Sequence, residues 1–205
     1  MKVVTICGSV RPNNYTSKAL NLVLDEFSRL QDKGQKKIEV VPVWLEKIEF
    51  SPPGTANEGP TIRQLRESVE EATGLVIATP EYHGSFSSVL KLMIENLGFP
   101  SPIAGKPIAL LGVASGQIGA IKSMEHLRSV CSHVGAIVLP NFVSVPLVNK
   151  VFDEKGLCLD EKWEKLIRGV ATSLLHYIEG AICPKMVLEA MVRSQENSLT
   201  SADRN

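Results

Sequence analysis

The feature that most constrains this chain is a rhythm. Short β-branched apolar runs recur at Val3–Cys7, Ile38–Val43, Leu75–Thr79, Ile108–Val113 and Ala136–Leu139. Runs this short and apolar throughout suit strands buried on both faces, as in a parallel sheet. Between them the apolar residues switch to helical spacing: Leu20, Val23, Leu24 and Phe27; Leu90, Met93, Ile94 and Leu97; Ile121, Met124, Leu127 and Cys131; then Trp163, Leu166, Ile167, Val170, Leu174 and Tyr177. A further helix is expected at Leu65, Val69 and Ala72, opened by a capping box of Thr61 and Gln64 and closed by Gly74. The order βαβαβαβαβα predicts an α/β fold: a doubly wound, five-stranded parallel sheet with helices on both faces.

A length of 205 residues suits one domain, and no internal repeat suggests more. The domain is expected over residues 1–180, with 181–205 as a C-terminal extension. Its polar tail, SQENSLTSADRN, is expected to be partly disordered. Residues 146–160 break the rhythm, and VFDEKGLCLD reads as either a small hairpin or an irregular excursion. Lys plus Arg total 22, matched by 22 Asp plus Glu, so neither nucleic acid nor an anionic membrane surface is an expected partner. No apolar stretch approaches the roughly 18–20 residues of a membrane span. The opening KVVTIC carries no apolar signal region. Four widely spaced cysteines, without a C-x-x-C pair or a Cys/His cluster at ligand spacing, predict reduced thiols, a cytoplasmic location and no metal.

In such sheets the loops at the carboxyl ends of the strands carry the site, and those after the first and third strands flank the crevice where the winding reverses. The first loop is GSVRPNNYTS. Ser9, Asn13, Asn14, Thr16 and Ser17 supply small donors, and the first N–H groups of the following helix favour an anion by about 0.3–1 kcal/mol. Arg11 adds a planar fork for phosphate oxygens. The same polar residues could instead cap the helix and leave Arg11 in solvent. Neither G-x-x-x-x-G-K-[ST] nor G-x-G-x-x-G is present. Cys7 and Arg11 are separated by three intervening residues where a low-molecular-weight phosphatase loop needs five, so Cys7 reads as a small buried hydrophobe. In the second loop, TPEYHGSFSS, a flat heterocycle could lie against Tyr82 and the backbone, with Ser85 and free amides at its polar edge. The competing reading is a turn whose tyrosine covers the core. In ASGQIGA, Gly116 and Gly119 permit close backbone approach or simply turn the chain.

A phosphate site beside a flat-ring site, without a triphosphate loop, suits flavin mononucleotide. GSVRPNNYTSKAL, TPEYHGSFSSVLK and ASGQIGA at this separation resemble the NADPH-dependent FMN reductase family, a flavodoxin-like group, over about residues 1–180. The resemblance implies non-covalent FMN and hydride transfer from NADPH, with NADH as an alternative donor, through FMN to flavin, quinones, azo dyes or metal oxyanions. It implies that Ser9, Arg11, Asn14, Tyr15, Thr16 and Ser17 hold the phosphate and ribityl end. Pro80, Glu81, Tyr82, His83, Gly84 and Ser85 would line the isoalloxazine ring, and Ser115, Gly116 and Gly119 would border it. Family members are commonly homodimers or homotetramers, joined through their third and fourth helices. Here that would involve Leu90, Met93, Ile94, Leu97, Met124 and Leu127, although core packing explains the same residues.

Two positions depart from the family pattern: many members have Asn at position 83 and Pro-Gly at positions 87–88. His83 is expected to offer a ring N–H to a flavin carbonyl, with proton donation to a reduced quinone as the alternative. No obligatory acid, base or nucleophile is expected, because the protein's part in such chemistry is to position two rings. His126, His133 and His176 read as helix-face histidines. Two other functions fit the same fold: an FMN electron carrier without nicotinamide activity, a class often strongly acidic where this chain is neutral, and a flavin-less interaction protein.

Overall fold

The computed structural model describes residues 1–32, 37–52 and 59–202, with 194–202 as backbone only. Strands β1 (Lys2–Cys7), β2 (Glu39–Trp44), β3 (Gly74–Tyr82), β5 (Pro107–Val113) and β6 (Ile137–Val138) form a parallel sheet in the order β2-β1-β3-β5-β6. This is the doubly wound order expected, with the reversal between β1 and β3. The strand count is seven where the sequence reading predicts five. β4 (Ser85–Phe86) folds back antiparallel on β3, and β7 (Val143–Val145) pairs with the far end of β5. The expected fifth strand, Ala136–Leu139, is shortened to β6, and β7 lies beyond it along the same neighbour, after Pro140, which offers no ladder donor.

Period-two alternation divides the core between the two sheet faces. Val3 and Cys7 of β1, Val76 and Ala78 of β3, and Ala109 and Leu111 of β5 pack with helices α1 (Tyr15–Asp32) and α6 (Glu161–Tyr177). Val4 and Ile6, Leu75 and Ile77, and Ile108 and Leu110 pack with α2 (Pro60–Glu71), α3 (Ser88–Asn96) and α4 (Ile121–His133). β1, β3 and β5 are therefore apolar on both sides, which is why they read as continuous runs.

The start and stop signals of α2 differ from expectation. Gly59 is the N-cap with Pro60 at the first helical position, no side chain caps the helix, and Ala72 closes it. Proline's fixed φ opens the helix in place of the capping box. Gly74 begins β3, where a Cβ would come within 2.9 Å of Ile178 Cδ1. The 146–160 interruption resolves into a single turn of helix, α5 (Val148–Val151), and an isolated antiparallel bridge between Phe152 and Cys158. Lys18 Nζ donates to the carbonyls of Asp153 (2.9 Å) and Glu154 (3.0 Å), tying this excursion to the start of α1. Asp160 then caps α6 by accepting the N–H groups of Lys162 and Trp163. Beyond α6, a π turn (Ile178–Ile182) leads into helix α7 (Cys183–Ala202), and the tail's last residues, 203–205, lie outside the described residues.

Leu90, Met93, Ile94, Leu97, Met124 and Leu127 are all buried within the protomer. Core packing accounts for them completely.

Candidate functional site

The loops after β1, β3 and β5 meet at the carboxyl edge of the sheet. Backbone tethers fix them there. Gly8 N–H donates to the Ala78 carbonyl at 2.7 Å, and a Cβ at position 8 would stand 2.8 Å from that oxygen, so glycine permits this approach of β1 to β3. Ser87 Oγ, buried at the start of α3, donates to the Gly8 carbonyl at 2.5 Å, while Ser87 N–H donates to Thr79 Oγ1 at 3.2 Å. The Glu81 carboxylate accepts the N–H of Ser123 at 3.0 Å in the first turn of α4, where the helix dipole favours a negative charge. Ser144 Oγ accepts the N–H of Ala120 at 2.8 Å. Gly119, at φ +80°, leaves room for this contact, since a Cβ there would lie 2.6 Å from the same oxygen.

Between these loops lies a cavity of about 260 Å³, lined by residues 9 and 11–16, by Pro80, Glu81 and Tyr82, and by Val113, Ala114, Ser115 and Val148. A second lobe of about 580 Å³, lined by Arg11, Glu81, Tyr82, His83, Phe86 and Ser88, shares its wall. Together they make a cleft of cofactor size, in the range of about 300–1,000 Å³. It holds Ser9, Arg11, Asn14, Tyr15, Thr16, Pro80, Glu81, Tyr82, His83 and Ser115 of the expected set. Ser17, Gly84, Ser85, Gly116 and Gly119 are not among the residues that line it.

Several expected ligand groups already have partners. Asn14 caps α1, its Oδ1 accepting Ser17 N–H at 2.7 Å and its Nδ2 donating to the Arg11 carbonyl at 2.7 Å. Ser17 Oγ donates back to the Asn14 carbonyl at 2.7 Å. The capping alternative therefore describes Asn14 and Ser17. It does not describe Arg11, which has no carboxylate partner among the described residues and lies over the Tyr82 ring, 4.5 Å from its centroid. The N–H groups of Tyr15 and Thr16 meet no acceptor among the described residues, and both residues line the same cavity. Ser9 Oγ weakly accepts Arg11 N–H at 3.4 Å.

The Tyr82–Ser85 hairpin explains residue 83. His83 has φ +50° and Gly84 φ +75°, both left-handed, as a two-residue type I′ turn requires. Asn is favoured at the first of those positions because its short polar side chain tolerates positive φ. The backbone thus supplies the reason for an Asn-Gly pattern, and the His83 ring itself is exposed. Ser87 has φ −61°, already proline's value, so Ser-Ser opens α3 as Pro-Gly would while adding a hydroxyl that caps Leu90 N–H. Burial pushes the Cys7 thiol up to about 11, so it is neither thiolate nor nucleophile.

Several contributors escaped the sequence reading, among them Pro12, Ser88, Val113 and Ala114 on the cleft wall. Ser87 carried a legible signal, a serine one turn ahead of Leu90. Phe86 and Val148 carried none, since each depends on a two-residue strand or a single helical turn. His126 reads as a helix-face histidine, yet its Nδ1 lies 3.2 Å from Ser85 Oγ on the outer side of the hairpin. Among the described residues no group of three or more His, Cys, Asp and Glu could hold a metal ion, and no helix is long and apolar enough to cross a membrane.

A cleft at the point where the winding reverses, with Arg11 and the start of α1 on its wall and no triphosphate loop, stands on a flavodoxin-like sheet. The chain belongs to the NADPH-dependent FMN reductase family, whose pattern residues 1–150 match. It is 31% identical over 172 residues to an NAD(P)H-dependent FMN reductase of Pseudomonas aeruginosa, covering 82% of this chain and 90% of that one. It is 28% identical over 184 residues to a quinone reductase of Escherichia coli, covering 87% and 96% respectively. The solved structure of the flavoenzyme NAD(P)H:(acceptor) oxidoreductase FerB from Paracoccus denitrificans superposes with a TM-score of 0.70 at 20% identity, over 87% of this chain and 97% of that one.

Proposed function

We propose that this chain is an FMN-dependent oxidoreductase that takes a hydride from NADPH, or alternatively NADH, and reduces a small acceptor such as a flavin or quinone. The observation that carries this reading is that Arg11, with no carboxylate partner among the described residues, lines one cleft with Tyr15 and Thr16, whose helix-start amides meet no acceptor among those residues. Moving Arg11 off Tyr82 forgoes about 0.5–1 kcal/mol of cation–π attraction. A charge-assisted bond to a phosphate returns about 1.5–3 kcal/mol. The phosphate therefore wins.

The chain's own residues would act by binding and orientation. Arg11 and the Tyr15 and Thr16 amides would hold the phosphate. Pro80, Glu81 and Tyr82 on one wall, with Ala114 and Ser115 on the other, would hold the ring plane. Bound FMN would supply the two-electron chemistry. Glu81 serves by fixing its loop to α4 and leaves the reaction without a protein acid or base. Residues 1–180 would form the flavin-binding unit with 181–205 appended. The four free thiols favour a reducing compartment, the cytoplasm.

The test is to saturate the protein with FMN, add NADPH without oxygen and follow the flavin's visible band against a protein-free control. Rapid bleaching is expected. Bound flavin that stays oxidised would indicate an electron carrier, and absence of bound flavin an interaction protein.

A further inference from the structure

Lys18 belongs neither to the residues that the family resemblance assigns to the flavin nor to those lining the cleft, yet it grips a segment that does line it. Its ammonium donates to two main-chain carbonyls, Asp153 at 2.9 Å and Glu154 at 3.0 Å, and lies 4.6 Å from the centroid of the Tyr15 ring. The stem is used as well: Gly156 has φ +92°, and a Cβ there would stand 3.5 Å from Lys18 Cγ. The clamp holds backbone, while the Asp153 carboxylate accepts Leu157 N–H at 2.7 Å. An ammonium so engaged within the chain suits a holding role. The same segment is fastened at its other end to the loop after β5. Leu147 N–H donates to the Gly116 carbonyl at 3.1 Å, and Val148 N–H to the Ala114 carbonyl at 3.0 Å. Residues 147–154 thus run as a strap from the β5 loop to α1, and Val148 lines the same cavity as Tyr15 and Thr16. Leu147 sits at φ +45°, left-handed backbone that residues other than glycine rarely adopt. Such a conformation persists where its surroundings over-determine it.

We propose that Lys18 is a positioning residue for the cofactor: it docks the 147–154 strap on α1, so that Val148 and Tyr15 hold the shape of the cavity before FMN enters. The proposal rests on the flavin reading of the cleft. Its physical basis is preorganisation. If the strap is docked in only a fraction of molecules, the apparent dissociation constant rises by the inverse of that fraction. Lys18 therefore acts on affinity through Val148 and Tyr15, with no contact of its own to the ligand.

The test compares the wild type with Lys18→Met, Lys18→Arg and Arg168→Met in two measurements. Methionine keeps an unbranched stem against Gly156 and deletes the donors, and arginine keeps charged donors. Arg168 of α6 ties to α1 through Asp25 at 2.6 Å and is not a cleft residue, so its variant reports lost stability alone. Hydrogen exchange is measured first, on the flavin-free protein. The amides of Asp153, Gly156 and Leu157 should exchange about tenfold faster in Lys18→Met than in the wild type, with β1 and β3 unchanged. FMN titration by quenching of flavin fluorescence follows. Lys18→Met should raise the dissociation constant about tenfold, the factor for a strap docked in about a tenth of molecules. Lys18→Arg should recover most of that loss, and Arg168→Met should stay within about twofold of the wild type. Unchanged exchange in Lys18→Met would overturn the proposal. So would an unchanged dissociation constant, or a rise as large in Arg168→Met, either of which would leave Lys18 a structural tie only. A wild type that binds no FMN would overturn the flavin reading, and this proposal with it, whatever the exchange shows; wild-type binding that Lys18→Met matches would overturn this proposal alone.

Discussion

Removing the Ser87 hydroxyl tests how the cleft is held together. In Ser87→Ala the Gly8 carbonyl is deprived of the donor at 2.5 Å, and no other donor among the described residues reaches it. An unsatisfied buried carbonyl costs about 1–3 kcal/mol. Removing the α3 cap adds about 0.5 kcal/mol, the low end for such caps, because the bond from Leu90 N–H is long at 3.4 Å. The Ser87 N–H to Thr79 bond survives, so the backbone stays close to its place. The expected destabilisation is about 2 kcal/mol, or about 1 M in the urea midpoint at an m-value of about 2 kcal/mol/M. Because the Gly8 peptide anchors the chain entering residues 9–14, FMN affinity should fall as well. Ser88→Ala, on the exposed neighbour, is the control for stability and should leave the urea midpoint unchanged. A midpoint shift below about 0.25 M, or one no larger than the control's, would refute the idea that this bond joins the two loops.

Arg11→Ala should weaken FMN binding roughly 5- to 50-fold, the charge-assisted bond to phosphate less the cation–π attraction that Arg11 gives up to reach it, with little change in melting temperature; isothermal titration and a thermal melt check both. His83→Asn should leave FMN affinity and NADPH oxidation within a few-fold and raise stability by a few tenths of a kcal/mol, because Asn suits φ +50° better; loss of flavin would show that the imidazole is itself a ligand. Burial pushes Cys7 up to about 11 and Cys131 up to about 12. A thiol with a raised folded-state pKa contributes stability that is fully present below its unfolded pKa, about 9, and is lost as pH rises toward the folded value. Denaturation profiles from pH 8 to 11 should therefore decline above pH 9, and a flat profile would contradict the burial of both thiols.

Strands buried on both faces were legible because β1, β3 and β5 have no polar side to interrupt the apolar run. β4 and β7 were not, since two or three residues give no periodicity to read and their pairing depends on a neighbour distant in sequence. The same limit applies within the site. Arg11 and the Pro80–Tyr82 wall stand in sequence patterns that announce a ligand, whereas Val148 reaches the cavity through the 146–160 excursion. The left-handed turn at His83 was hidden for a different reason: positive φ is a property of the hairpin's twist, and the residue filling it is a consequence. The α2 boundaries misled because Thr61 and Gly74 match helix-end chemistry while Gly59 and Pro60, just ahead of Thr61, offer a competing start.

The polar residues of the cleft thus divide into two groups by what already satisfies them. Asn14, Ser17, Glu81, Ser85 and Ser87 have hydrogen-bond partners within the chain, and those bonds run between loops or along helix starts. Arg11 and the Tyr15 and Thr16 amides have no such acceptor among the described residues, and all three residues line one cavity. Preorganisation requires this division, since a group that must break an internal bond to meet a ligand returns only the difference between the two. Substitutions in the first group should therefore lower stability and flavin affinity together, and Arg11 in the second should lower affinity alone. The family resemblance treats Asn14, Ser17, Glu81 and Ser85 as flavin ligands alike with Arg11, Tyr15 and Thr16; the hydrogen bonds divide that set into residues with partners inside the chain and residues whose donors meet no acceptor among the described residues.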